Sequence, residues 1–151
     1  SIVFSASAQK TVVDVAVGSS DHTTLVAALQ AADLVTTLQS AGPFTVFAPT
    51  NAAFGDLLSD LGYSTLSEID LGLLENVLGM HVVPEANVRS GDLTEGMAAL
   101  TVANETITFS LTAAPNITDP NGFVSNIVVV DVQAMNGVVH AVDKVILPVL
   151  D

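Results

Sequence analysis

The three histidines are the side chains best suited to proton transfer or metal binding near neutral pH. They are His22, His81 and His140, and the chain contains no cysteine. A histidine metal site needs further ligands and oriented second-shell partners, and the spacing of these residues supplies neither, so we expect no metal site. His22 follows Asp21 at the start of a predicted helix. We expect it to be a solvated surface residue.

His81 and His140 lie in apolar surroundings. His81 follows a predicted helix and opens an apolar strand, and His140 lies inside another strand. Because buried polar groups normally find hydrogen-bond partners, both are predicted to be structural core histidines. His81 is expected to link the end of its helix to Thr50 or Asn51. The rival interpretation is a cleft near His81 and Asn51 that serves a small-ligand binder or an enzyme.

The common sequence motifs of catalysis are absent. The chain contains no Gly-x-Ser-x-Gly, no Gly-x-Gly-x-x-Gly, no phosphate loop ending in Gly-Lys and no His-Glu-x-x-His. The lack of cysteine excludes disulfides, thiolate catalysis and Cys-ligated zinc. The segment Asp119–Gly122 lacks the alternating oxygen ligands of a calcium loop and is predicted to be a turn. We expect a protein without enzymatic activity and without a cofactor.

Net charge excludes several classes of partner. Three Lys and Arg residues against 16 Asp and Glu residues give a formal net charge of −13. Three cations cannot neutralise a phosphate backbone or an anionic lipid surface, so nucleic acid and membranes are not expected partners. Apolar runs such as Ile127–Val130 are far shorter than the roughly 18 residues of a membrane helix. Weak self-association that rises with salt is expected once charge repulsion is screened.

Hydrophobic periodicity places helices in the first half of the chain and strands in the second. Helical spacing covers Thr11 to Leu38, the segment after Asn51, and a segment from Ser67 or Asp70 to Leu78. Strand composition marks Phe44–Ala48, Met97–Val102, Glu105–Leu111, Phe123–Val132, Gly137–Val142 and Val145–Leu147. Pro115–Gly122 is predicted to be an exposed loop. This order favours an α+β domain over a βαβ repeat.

The first nine residues are expected to lie outside the folded domain. Ala6-Ser7-Ala8 is a small-x-small triplet after an apolar stub, which is typical of the end of a secretory signal cleaved before Gln9. The alternative is an N-terminal arm. Residues 10–151 are expected to form one domain.

Three blocks of the sequence resemble the fasciclin-like domain family. They are Gly42–Phe54, Leu78–Pro84, in which Met80 stands in the place of the family's tyrosine, and Asn136–Pro148. The resemblance covers residues 10–148. It implies a wedge-like α+β fold in which helices of the N-terminal half pack on β-sheets formed by the Phe44–Ala48 strand and the C-terminal half.

The same resemblance implies adhesion outside the cytoplasm. It suggests a secreted, periplasmic or cell-surface bacterial protein whose partners are proteins or glycans of the cell surface or matrix. In integrin-binding relatives an Asp-Ile pair just before the third block is implicated in adhesion, and Asp131 and Val132 occupy those positions here. A pocket with convergent polar groups near His81 would favour the rival interpretation, whereas a filled core around His81 would favour adhesion.

Overall fold

A computed structural model describes residues 11–39, 43–65, 68–84, 88, 90–111, 115–134 and 136–147. The α-helices within these ranges are α1 (Val12–Val17), α2 (Thr23–Ala31), α3 (Val35–Leu38), α4 (Asn51–Leu61) and α5 (Leu71–Gly79). The strands are β1 (Phe44–Pro49), β2 (Val82–Pro84), β3 (Ala98–Leu100), β4 (Thr106–Ser110), β5 (Asn116–Thr118), β6 (Val124–Ala134) and β7 (Gly137–Val142). No helix in these ranges is long and apolar enough to cross a membrane. The predicted processing site, Ala6-Ser7-Ala8, lies outside the described residues.

Side-chain caps fix the start of three helices. Thr11 and Asp14 form a reciprocal capping box on α1, in which each side chain accepts the backbone N–H of the other residue. Thr50 caps α4 and Asp70 caps α5, each by accepting a backbone N–H group of the first turn. These caps satisfy N–H groups that have no partner within the helix.

The strands follow one another in the hydrogen-bonded order β2-β1-β7-β6-β5-β4-β3. Near one end of this order β1 and β7 pair in parallel, with Phe44 opposite Gly137 and Pro49 opposite Val142. Every residue of these two strands is buried. A Cβ atom on Gly137 would collide with the backbone carbonyl oxygen of Phe44, so the close approach of the two strands requires glycine at this position.

Two apolar clusters lie on the two faces of β1, because successive side chains of a strand point to opposite faces. Phe44, Val46 and Ala48 belong to the cluster that the N-terminal helices cover. Phe47 belongs to the second cluster and meets Phe109 of β4, with ring centroids 5.6 Å apart. Helices of the N-terminal half thus pack on a sheet formed by β1 and the C-terminal strands, which confirms the predicted α+β class.

Two local expectations are wrong. Pro115–Gly122 is not an exposed loop, since it contains β5 and the buried side chain of Asp119. Val145–Leu147 forms no strand. Backbone N–H groups of this segment instead donate to the side chains of His81 and Asp119.

Candidate functional site

His81 is a buried structural histidine, as predicted, with 1% of its surface exposed. Its Nδ1–H group donates to the carbonyl oxygen of Val77 at 2.7 Å, and its Nε2 atom accepts the backbone N–H of Ile146 at 2.8 Å. Both contacts require the neutral ring with its proton on Nδ1. Burial lowers the pKa of His81 to about 4, which keeps the ring neutral at physiological pH.

Thr50 and Asn51 are not the partners of His81, contrary to expectation. Thr50 accepts a hydrogen bond within its own helix cap. Asn51 reaches α2 instead: its Oδ1 atom accepts the N–H of Thr24 at 2.8 Å, and its Nδ2 atom donates to the carbonyl of Ser20 at 3.0 Å. Asn51 therefore connects the starts of two helices.

His140 is also buried in the core, as predicted. Its Nε2–H group donates to the carbonyl oxygen of Val88 at 2.7 Å. The ring stacks on Phe47 at a centroid separation of 5.5 Å. His140 thus ties the buried strand β7 to the segment that follows β2.

His22 is buried, so the prediction of a solvated surface residue is wrong. Its Nε2–H group donates to the carbonyl oxygen of Ala48 at 3.1 Å, and in the neutral ring Nδ1 accepts the hydroxyl of Ser19 at 2.8 Å. The contact with the end of β1 orders the 3₁₀ turn Ser20–His22 before α2. All three histidines therefore hold elements of the fold together.

The side chain of Asp119 organises the turn that was predicted for Asp119–Gly122. Its Oδ1 atom accepts the backbone N–H groups of Asn121 and Phe123, at 2.8 and 3.1 Å. Its Oδ2 atom accepts the N–H of Leu147 at 3.2 Å. Across the described ranges, no group of three or more His, Asp or Glu side chains is arranged to hold a metal ion.

The described surface includes two open depressions of more than 100 Å³. One, of about 270 Å³, lies between α4 and the start of β6, with the Lys144–Asp56 ion pair (2.8 Å) among its lining residues. The hydrogen bond and charge of Asp56 raise the pKa of Lys144. The other, of about 190 Å³, lies beside β6 and β7. Neither depression is lined by His81 or Asn51.

A row of exposed apolar side chains lies on β6. We call them the β6 surface: Val124, Val128, Val129, Val130 and Val132, which are between 37% and 54% exposed. Two register shifts between Ile127 and Val132 interrupt the pairing of β6 with β7. Such bulges bend a strand and re-aim its side chains, which accounts for three consecutive exposed valines. Exposed apolar side chains gathered on one strand make β6 the candidate for contact with a partner.

The residues expected by resemblance to take part in adhesion fall on this same strand. Val132 belongs to the β6 surface and is paired with Val139 of β7. Asp131 precedes it within β6, and its side chain lies outside the described structure. The strand thus combines the two candidate positions with an exposed apolar row.

Comparison with known proteins establishes the family. The fasciclin domain model matches residues 20–148, so the chain belongs to the fasciclin domain family. It is similar to protein sll1483 of Synechocystis sp., with 42% identity over 144 residues that cover 91% of this chain and 73% of that protein. It is also similar to protein sll1735 of the same organism, with 35% identity, covering 90% of this chain and 96% of that protein.

Two further matches are to larger proteins. Rabbit transforming growth factor-beta-induced protein ig-h3 is 36% identical over 110 residues, which are 72% of this chain but 15% of that protein. The solved structure of a FAS1 domain pair from the insect cell adhesion molecule fasciclin I matches with a TM-score of 0.76 at 17% identity. That match covers 94% of this chain and 51% of the insect chain, so this chain spans about half of its length.

Sequence reasoning missed one buried polar link. Asn136 Oδ1 accepts the backbone N–H of Val12 at 2.9 Å, and its Nδ2 atom donates to the carbonyl of Leu38 at 2.7 Å. One amide thereby joins the start of α1, the end of α3 and the turn between β6 and β7. The sequence feature that could have indicated this role is the position of Asn136 next to Gly137, within the third block that resembles the family.

Proposed function

We propose that this chain is a non-enzymatic adhesion or binding domain that acts in the cell envelope, at the cell surface or after secretion. Its partners are proteins or glycans of the surface or matrix. The observation that carries the proposal is the β6 surface, an exposed apolar row on a protein with a formal net charge of −13. Family membership and the kinship with an insect cell adhesion molecule support the same function.

The energetics of the β6 surface support contact with a macromolecule. Exposed valines gain about 25 cal/mol for each Å² of apolar area that a partner removes from water. Charged groups elsewhere on the surface keep the protein soluble. A partner that covers the valines of the β6 surface displaces little water from charged groups, so the desolvation cost of the contact is small. We propose that Asp131 and Val132 lie within this contact area.

His81 and Asn51 offer little support for a catalytic cleft. His81 is buried, and both of its ring nitrogens are engaged by backbone groups. The amide of Asn51 is likewise occupied by the start of α2. A general base must reach the proton that it removes, and these side chains do not line the depressions described above.

Bead adhesion tests the proposal. Fluorescent beads coated with the full chain are allowed to settle on envelope preparations of the organism that produces it, and retention under flow is measured. The variant Val128→Ser/Val130→Ser should reduce retention to the level of uncoated beads. Leu100→Ser is the matched control, because Leu100 on β3 is 56% exposed and Val128 is 54% exposed. This control should adhere like the unmodified chain.

Two results would contradict the proposal. If beads carrying the unmodified chain are retained no better than uncoated beads, the adhesion function is wrong. If the valine variant adheres fully while its far-ultraviolet spectrum and melting temperature are unchanged, the contact lies elsewhere than the β6 surface.

A further inference from the structure

A preformed apolar groove adjoins the β6 surface. It has a volume of about 190 Å³ and lies between α1, the turn Ser20–His22 and the strands β6 and β7. Its apolar lining consists of Val15, Ala48, Val129, Val132, Val139 and Ala141. Val129 and Val132 thus face the groove and also belong to the exposed row.

The histidine and the serine of the groove are already paired within the protein. The ring of His22 contacts the hydroxyl of Ser19 and the carbonyl of Ala48. Among the described residues, no buried side-chain nitrogen or oxygen atom lacks a hydrogen-bond partner. The interior of the groove therefore favours an apolar group, since a polar group entering it would lose water without gaining a partner.

The charge at the groove has one sign. The exposed side chain of Asp21 contributes a carboxylate to the groove. The described lining residues include no Lys or Arg. Lys144, the basic residue within the described ranges, forms an ion pair with Asp56 beside the other depression. With a formal net charge of −13 on the whole chain, a partner that approaches this groove is favoured when it carries positive charge.

We propose that this groove binds an extended segment of a partner protein in which apolar side chains alternate with Lys or Arg. An apolar side chain enters between Val129, Val132 and Val139. The aliphatic stem of the neighbouring Lys or Arg covers the exposed valines, and its charged end faces Asp21. The inference rests on the proposed binding function and adds the chemistry of the partner.

Peptide titration followed by amide chemical shifts tests the inference. The probe is a short synthetic peptide in which valine and lysine alternate. Two matched peptides carry glutamate in place of lysine or serine in place of valine. The valine–lysine peptide should shift the amides of Val15, Val129, Val132 and Val139. The serine–lysine peptide should bind about tenfold more weakly, as expected for the loss of one buried apolar side chain.

Variants of the chain locate the contact. Val129→Ser/Val132→Ser should weaken binding of the valine–lysine peptide about tenfold for the same reason. Val102→Ser, at an exposed valine outside the groove, is the neutral control and should leave affinity unchanged. Asp21→Asn should weaken binding and reduce its dependence on salt, because one screened charge contact is lost.

Three outcomes would overturn the inference while leaving the bead experiment intact. If the glutamate peptide binds as tightly as the valine–lysine peptide, the positive charge of the peptide does not contribute to binding. Shifts centred on Asp56 and Asp60 would place the peptide at the other depression. A concentration-dependent dimer that is lost in Val129→Ser/Val132→Ser would show that a second copy of the chain occupies the groove.

Discussion

The backbone N–H of Ile146 donates to Nε2 of His81 across 65 residues of sequence, at a distance of 2.8 Å. This bond fastens the segment after β7 to the end of α5. The segment has the composition of a strand but gains its order from side-chain acceptors. The ring of His81 therefore sets the position of the C-terminal part of the described fold.

Replacement of His81 should destabilise the protein. In His81→Ala the N–H of Ile146 and the carbonyl of Val77 lose buried partners. We expect the free energy of unfolding to fall by about 1–3 kcal/mol. Urea unfolding measures the change. Thr106→Ala, at an exposed position on β4, serves as control. If the two variants are equally stable, His81 does not stabilise the fold through these hydrogen bonds.

Acid should weaken the fold through the same ring. The pKa of His81 is about 4 in the folded protein, below its ordinary value of 6.5, so the unfolded chain binds this proton more readily. Its contribution is complete above pH 6.5 and is lost as the pH falls from 6.5 towards 4. The loss amounts to about 3 kcal/mol. Unfolding measured across this range should show a steeper decline for the unmodified chain than for His81→Leu, and parallel curves would refute the expectation.

Substitution of Gly137 should be far more damaging than substitution of an open glycine. In Gly137→Ala the new Cβ atom meets the carbonyl oxygen of Phe44 and forces β1 away from β7. We expect a loss of about 3 kcal/mol or more, or no folded protein. Gly55 in α4 has no atom within 4 Å of its Cβ position, so Gly55→Ala should stabilise by about 0.5–1 kcal/mol. Thermal unfolding of both variants gives the comparison, and similar melting temperatures would contradict it.

Loss of the Asn136 amide should loosen α1 before the rest of the fold. Asn136→Ala leaves the N–H of Val12 and the carbonyl of Leu38 without this partner, at a cost of about 2 kcal/mol. Hydrogen exchange should accelerate at Val12. Asn126→Ala is the matched control, because the Asn126 amide pairs with Asp143 at an exposed position. Uniform acceleration throughout the protein would argue against a local role.

Much of the fold follows from local patterns that the sequence displays. In α2, α4 and α5 the apolar residues recur at the spacing of a helical turn. Thr50 and Asp70 are residue types that favour the N-cap position. The strands β1 and β7 are largely apolar segments, and all of their residues are buried. Local energetics and tertiary packing agree in these elements, so prediction succeeds.

Contacts between distant residues decided the positions that sequence reasoning placed wrongly. His22 is buried because Ala48, 26 residues later, offers a carbonyl acceptor. Asn116–Thr118 is a strand because β4 and β6 pair with it on both sides, although Pro115 and Asn116 have turn composition. The exposure of Val128–Val130 was not predicted, because it depends on bulges and an apolar run without alternation does not reveal which residues are exposed.

The parallel pairing of β1 with β7 has a consequence for the order of folding. Phe44 and Gly137 are far apart in the sequence and must meet before β1 and β7 can form their ladder. Closing so long a loop is entropically costly, and contacts of this separation slow the folding of a domain. During synthesis, the edge of β1 that pairs with β7 stays open until β7 emerges. The protein is therefore expected to fold late and as a unit, and to rely on prompt completion of the chain to avoid aggregation.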